Sequence, residues 1–223
     1  MAGLTDGVRE PVDGAGRTDA GVHALGQVIA FTYTGRLTAT ALEAGLNGLL
    51  PPDIAIREVR SVRPEFHPRR AARYREYRYT VWNGPLSPLN ERLALGVRNP
   101  LDVVAMDRAG QAFIGRHDFS AFGAVAGNRS PIRIVDAVRV RRRGRLVTID
   151  VRANSFLRGM VRRIVAVLLE VGHGRMDETE VREAIAARTP ARNGATAPAR
   201  GLCLRYVALG RRTDVDTTTD GDD

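Results

Sequence analysis

The segment from Gly16 to His23 reads GRTDAGVH and combines a guanidinium, a carboxylate and two glycines within eight residues. In an extended loop, side chains two positions apart lie on the same side of the chain, so we expect Arg17 to hold and orient Asp19. A neighbouring guanidinium favours an ionised, acceptor-only carboxylate, which suits a nucleophile better than a general acid. The alternative is an ordinary turn before a strand, with a surface ion pair contributing under about 1 kcal/mol.

The charge balance indicates a polyanionic partner. The chain has 34 basic and 25 acidic side chains, a net charge of +9 and a pI near 10.9. Every basic residue is arginine, whose planar guanidinium can bind phosphate through two hydrogen bonds and stack on bases. A solvated basic surface without a partner is the alternative explanation. Residues 214–223 carry five acids and no base, and we expect this tail to be disordered.

Composition also excludes several classes of protein. No apolar run approaches the roughly 20 residues that a membrane-spanning helix needs. The single cysteine, Cys203, excludes an internal disulfide framework and any metal site with several thiolates. We therefore expect a globular protein with the cytoplasm as its default compartment.

Hydrophobic periodicity predicts alternating strands and helices of an α+β protein with mostly antiparallel sheets. The predicted strands are Gln27–Tyr33, Asp53–Val62 and its partner Arg73–Asn83, a hairpin of Ile132–Arg142 and Leu146–Val151 across Arg143–Gly144, and Leu202–Leu209. The predicted helices are Thr40–Leu50, Asp102–Gly115, Ser155–Val171 and Asp177–Ala187. The last of these begins with a capping-box pattern of Asp177 and Glu180.

Three prolines between Gly84 and Pro100 mark the best internal boundary. We predict a disordered or truncated start over 1–15, an N-terminal catalytic half over 16–99, a C-terminal half over 100–213 and the acidic tail over 214–223.

Six motifs together resemble those of the TruA family of tRNA pseudouridine synthases, in the family's order. They are GAGRTDAGVHALGQV at residues 14–28, Phe66-His67-Pro68-Arg69, Arg75-Glu76-Tyr77-Arg78-Tyr79, the segment His117–Phe122, Asn154–Arg158 with Met160-Val161-Arg162, and Ala197-Pro198 with Gly201-Leu202. The resemblance implies a pseudo-two-fold fold with two mixed, mostly antiparallel sheets flanked by helices around a basic RNA cleft. It also implies isomerisation of uridine to pseudouridine at positions 38, 39 and/or 40 in the anticodon arm of tRNA.

The resemblance also implies roles for single residues. Asp19 would be the catalytic nucleophile, attacking either the ribose or the base, with Arg17 as its ion-pair partner. Tyr77 would stack on the target base, Tyr79 being the alternative if the register differs by two. The remaining implied substrate contacts are Leu202, Arg158, Arg162, His23, Phe66 and Arg69.

The family's enzymes need no metal or nucleotide cofactor and are homodimers, so we expect the same here. Tyr-Asp-Gly and Gly-Trp-Gln motifs, which family members carry on a strand and helix upstream of the aspartate loop, are absent from this sequence, and we therefore expect a truncated start. Two alternatives stay open: an RNA-binding protein that has lost catalysis with that segment, and an enzyme that modifies a different RNA uridine.

Overall fold

The computed structural model describes residues 10–125, 127, 130–189 and 194–210. The described chain divides into two units, one of residues 10–16, 28–72 and 209–210, the other of residues 17–27 and 73–208. The two predicted halves on either side of residue 100 group the residues differently from these units, and that boundary stays a prediction. Residues 1–9 and the acidic tail lie outside the described residues.

The described chain has the following helices and strands. The helices are α1 (Ala39–Leu49), α2 (Pro68–Ala71), α3 (Val103–Gly110), α4 (Met160–Gly172) and α5 (Glu178–Ala187). The strands are β1 (Asp13–Gly14), β2 (His23–Ala24), β3 (Ile29–Ala30), β4 (Ala72–Asn83), β5 (Leu95–Val97), β6 (Gly115–Asp118), β7 (Ile132–Arg143), β8 (Leu146–Ala153) and β9 (Leu202–Leu209). Short 3-10 helices lie at Pro88–Asn90, Gln111–Phe113, Ser120–Phe122 and Ala199–Gly201.

The larger unit is built on a seven-stranded sheet with the order β2-β9-β4-β8-β7-β6, in which β5 pairs with one end of β4. The β4/β8, β8/β7 and β7/β6 pairs are antiparallel, whereas β2/β9 and β5/β4 are parallel. The predicted α+β class is therefore confirmed.

One side of this sheet forms the core. Along β4, Tyr77, Tyr79 and Val81 are buried, while the alternate side chains are half-buried. This alternation follows from the two-residue period of a strand. Helix α3 packs on β7 and on α4, whose buried face is continuous with that core.

Helix ends in the larger unit follow the sequence. The Asp177 side chain accepts from the Glu180 amide at 2.9 Å and the Glu180 side chain accepts from the Asp177 amide at 2.8 Å, which confirms the predicted capping box. Helix α4 begins at Met160 and not at the predicted Ser155, because Gly159 before it has a left-handed φ of 74°. The hairpin and the last strand were also correctly predicted.

In the smaller unit α1 was correctly predicted, but of the two strands predicted there one is absent and the other is shortened. Residues 53–62, predicted as a strand beside β4, form no strand. The Asn47 side chain there donates to the Ile56 carbonyl at 2.9 Å and accepts from its amide at 2.7 Å, occupying the groups that a neighbouring strand would use. The predicted strand Gln27–Tyr33 is reduced to β3, which pairs with β1 inside the segment expected to be disordered.

Candidate active site

The loop that carries Asp19 is closed by a turn and attached to β9. The Val22 amide donates to the Asp19 carbonyl at 3.0 Å, and Gly21 has a φ of +80°, which an L-residue adopts only with strain. Directly after the turn, β2 pairs in parallel with Cys203 and Leu204. The carboxylate therefore sits on a short loop held by the edge of the seven-stranded sheet.

Two guanidiniums approach the Asp19 carboxylate: Arg162 lies in the first turn of α4, and Arg158 lies two residues before that helix. Arg162 Nη1 donates to Oδ2 at 3.1 Å, and Arg158 Nε lies 4.0 Å from Oδ1. The predicted ion pair with Arg17 was wrong: Arg17 is exposed, and among the described residues it forms no ion pair with Asp19.

Arg162 is held through both its side chain and its backbone. Its Nε donates to the Ala197 carbonyl at 2.6 Å, and the Ala197 amide donates to the Arg162 carbonyl at 3.0 Å. Only 21% of its side chain is exposed, against 84% for Arg158. Arg162 is thus the ordered partner of Asp19, and Arg158 is a solvated cation beside it.

Tyr77 lies on the buried side of β4, and the charge of Asp19 affects the pKa of its hydroxyl. Burial is the main cause that raises the pKa of Tyr77 to about 12; the positive charge of Arg75 opposes this shift and Asp19 adds to it. The ring meets the edge of Phe156 at a centroid distance of 5.2 Å and 89°. Phe156 lies in the motif Asn154–Arg158, but no local pattern singled it out as a functional residue.

Tyr79, the alternative aromatic residue, is fully buried, and its hydroxyl donates to the Pro198 carbonyl at 2.9 Å. Burial raises its pKa well above the usual value of a phenol. A Cβ on Gly201 would lie 2.7 Å from the Tyr79 ring, so the chain just before Leu202 is packed directly on this tyrosine. Leu202 is itself buried, as expected for an apolar wall.

The other predicted contacts fall into two places. His23 Nε2 donates to the Arg92 carbonyl at 2.8 Å, which joins the Asp19 loop to the segment before β5. Phe66 and Arg69 belong to the smaller unit, where Arg69 is exposed and its amide donates to the His67 side chain at 3.2 Å. Their contacts with a substrate stay a prediction.

Taken together, the larger unit pairs a one-third exposed carboxylate with an ordered guanidinium, and the charge of that carboxylate acts on the buried Tyr77. Such a carboxylate can act as a nucleophile, and a flat ring beside it can hold a planar substrate group. Within the described ranges, no three histidine, cysteine, aspartate or glutamate side chains are grouped so as to hold a metal ion. None of the described helices is long and apolar enough to cross a membrane.

Comparison with known proteins identifies the family of the chain. Residues 109–208 match the family model described as tRNA pseudouridine synthase. The tRNA pseudouridine synthase A of Pectobacterium atrosepticum is 43% identical over 211 residues, covering 93% of this chain and 74% of that protein. Those of Pelobacter propionicus and Geobacter sulfurreducens are both 42% identical over 204 residues, covering 91% and 90% of this chain and 84% of each relative. With this identity over nine-tenths of its length, the chain belongs to the tRNA pseudouridine synthase family.

Proposed function

We propose that this chain isomerises uridine to pseudouridine at positions 38, 39 and/or 40 in the anticodon arm of tRNA, with Asp19 as the nucleophile. The observation that carries the proposal is the position of the Asp19 carboxylate, held by Arg162 beside Tyr77. The relatives' names support the reaction class, and the contacts of Asp19 in the larger unit support the choice of nucleophile.

In this mechanism Asp19 attacks the target uridine, either at the ribose C1′ or on the base, and forms a covalent adduct. The bond between N1 and C1′ breaks, the uracil rotates, a bond forms between C5 and C1′, and the bond to the Asp19 carboxylate breaks to release the enzyme. The C5 proton leaves and N1 ends protonated, so the product is an isomer of the substrate. No oxidant, reductant or second substrate is consumed.

The neighbouring residues serve this sequence in distinct ways. Arg162 orients the carboxylate, since two fixed hydrogen bonds set the direction of its guanidinium. Tyr77 offers its ring to the detached uracil, while Phe156 supports that ring from its edge. The uridine has to leave its stack first, which costs a few kcal/mol and less near a loop than within a stem.

The tRNA would be recognised mainly by its shape and its phosphate backbone, because the positive charge of the chain comes from arginines that bind phosphates. If about six phosphates are neutralised, the slope of log K against log salt would be near −4 to −5. We further propose that the enzyme works in the cytoplasm as a homodimer. Sedimentation of the purified chain tests the dimer directly.

The decisive experiment compares Asp19→Asn with the wild type on unmodified tRNA. Carbodiimide-reactive pseudouridine, mapped position by position, should appear with the wild type at 38, 39 or 40 and be absent with the variant. Fluorescence anisotropy should show that the variant still binds tRNA. Asp53→Asn, which changes the same charge at an exposed residue of the smaller unit, is the matched control and should keep full turnover.

Other outcomes separate the alternatives. Pseudouridine outside the anticodon arm would keep the enzyme and replace the target. Tight tRNA binding by the wild type without any product would support a non-catalytic RNA-binding protein. Normal turnover by Asp19→Asn would refute the assignment of the nucleophile.

A further inference from the structure

The seven-stranded sheet has a second side, opposite the one that carries Tyr77. On β4 the alternation that buries Tyr77 and Tyr79 turns Tyr74 and Arg78 the other way. We call this side the outer face and define it by Tyr74, Arg78, Arg139, Arg141, Asp150, Arg152 and Tyr206. The catalytic proposal uses none of these residues.

An aromatic cluster lies at one end of the outer face, on three adjacent strands. The rings of Tyr74 on β4 and Tyr206 on β9 are 6.1 Å apart at 47°. The guanidinium carbon of Arg152, on β8, lies 5.2 Å from the centre of the Tyr74 ring. Tyr206 is 53% exposed, so much of its surface remains open to a planar ligand.

Two exposed arginines on β7 continue the outer face. The strand register places Arg139 opposite Asp150 and Arg141 opposite Thr148. Asp150 is already neutralised by Arg78 from the other side, through two hydrogen bonds of 2.6 and 2.9 Å. Arg139 and Arg141 are exposed, and no ion pair to either is found in the described part of the chain. Two residues apart on one face, they are spaced by roughly 6.8 Å.

The aromatic cluster and the arginine pair are neighbours. Arg152 pairs in register with residue 137 of β7, which is two residues from Arg139. Stacking rings with cations along one path are what an unpaired nucleic-acid strand requires, since rings bind base faces and guanidiniums bind phosphates.

We propose that the outer face is a second RNA-binding surface, which stacks unpaired bases on Tyr206 and Tyr74 and holds the adjoining phosphates with Arg139 and Arg141. It is independent of the catalytic site, because Tyr77 projects from the opposite side of β4. A single-stranded segment is favoured over a duplex, since bases inside a duplex expose no face to an aromatic ring.

The test uses fluorescein-labelled oligocytidylate, which contains no uridine and is no substrate for isomerisation. Tyr206→Ala should weaken its binding by about 5-fold or more in anisotropy titrations, since stacking contributes about 1–3 kcal/mol per base. Tyr206→Phe keeps the ring and should bind as the wild type does. Because Tyr206 is half-exposed, neither variant should lower the melting temperature appreciably.

A salt titration tests the arginines separately. Arg141→Ser should reduce the slope of log K against log salt by about 0.7, the value for one contact with a single strand. Arg108→Ser, which removes an equal charge from an exposed position on α3, should leave the slope unchanged.

Equal affinities of Tyr206→Ala and Tyr206→Phe would overturn the proposal, and so would equal salt slopes for the two arginine variants. A shift of Tyr206→Ala from dimer to monomer in sedimentation, with unchanged oligocytidylate binding, would show that a second copy covers the outer face instead. If the wild type shows no isomerase activity, only the proposed function is contradicted, since oligocytidylate binding does not require that activity.

Discussion

The guanidinium of Arg162 joins the Asp19 loop to the segment before β9. One nitrogen donates to the Asp19 carboxylate at 3.1 Å, while another donates to the Ala197 carbonyl at 2.6 Å. The direction of the carboxylate is therefore set by a side chain 143 positions away in the chain. This arrangement determines which arginine a mutational study should address first.

Replacing Arg162 should damage catalysis far more than replacing Arg158. Arg162→Met removes the donor that orients Asp19, and misplacement of a reacting group by about 1 Å can cost roughly 100-fold in rate. Arg158→Met removes a highly exposed cation at 4.0 Å and should change kcat by less than about 5-fold, given the weak coupling of exposed pairs. Single-turnover rates on tRNA measure both. Equal losses in the two variants would contradict the positioning role of Arg162.

The two buried tyrosines should separate into a substrate contact and a structural residue. Tyr77→Leu keeps apolar volume but loses the flat ring, and kcat/KM should fall by about 5- to 100-fold, as expected for a lost base stack. Tyr79→Phe leaves the Pro198 carbonyl without its donor, at a cost of about 1 kcal/mol in unfolding free energy. Its melting temperature should fall by about 2–4 °C while kcat stays unchanged. The reverse result would mean that Tyr79 is the residue that faces the base.

The raised pKa of Tyr77 predicts a loss of stability in alkali. The folded protein keeps this phenol neutral until its pKa of about 12, whereas the unfolded chain ionises it near 10. The stabilisation is therefore complete below pH 10 and is lost as the pH rises through 12. At pH 11 it should have fallen by about 1.4 kcal/mol relative to pH 8.

Urea unfolding of the wild type and Tyr77→Phe at both pH values isolates this contribution. Burial also raises the pKa of Tyr79, so ionisation of this phenol lowers the stability in the same direction. Tyr79 is present in both proteins, and its contribution therefore cancels from the difference. The wild type should lose more stability than the variant between pH 8 and pH 11. Identical losses would show that Tyr77 is not protected from ionisation.

A methyl group at Gly201 should disturb the wall formed by Leu202. The added Cβ would lie 2.7 Å from the Tyr79 ring and 2.9 Å from the Thr80 carbonyl, so backbone has to move. We expect Gly201→Ala to lose about 1–3 kcal/mol of unfolding free energy. Gly96→Ala, where a Cβ meets nothing within 4 Å, should change it by less than about 0.5 kcal/mol. Thermal unfolding of the pair is sufficient, and equal midpoints would contradict the clash.

Local patterns in the sequence were sufficient for much of the larger unit. The spacing of Asp177 and Glu180 predicted the start of α5, and the pattern of residues 73–83 predicted the strand β4. The last strand was predicted with its observed bounds. Each of these features depends on residues a few positions apart, whose periods are properties of the backbone itself.

The wrong predictions depend on contacts that a local sequence pattern does not encode. The segment 53–62 has the residue composition of a strand but no strand beside it, because the Asn47 side chain occupies the backbone groups of Ile56. The motif around Asp19 placed a carboxylate in a tight loop, yet it suggested the wrong guanidinium, since the exposed Arg17 side chain does not pair with Asp19 and Arg162 does.

The sequence alone determined the family, the basic character of the chain and the aspartate that its motifs single out, because these reside in residue identity and short spacing. Only the tertiary structure decided that Arg162 orients Asp19, that Phe156 supports Tyr77 and that Tyr79 is bonded to Pro198. These contacts join segments far apart along the chain, and their geometry depends on how the sheet and α4 pack together. No local period in the sequence encodes that packing.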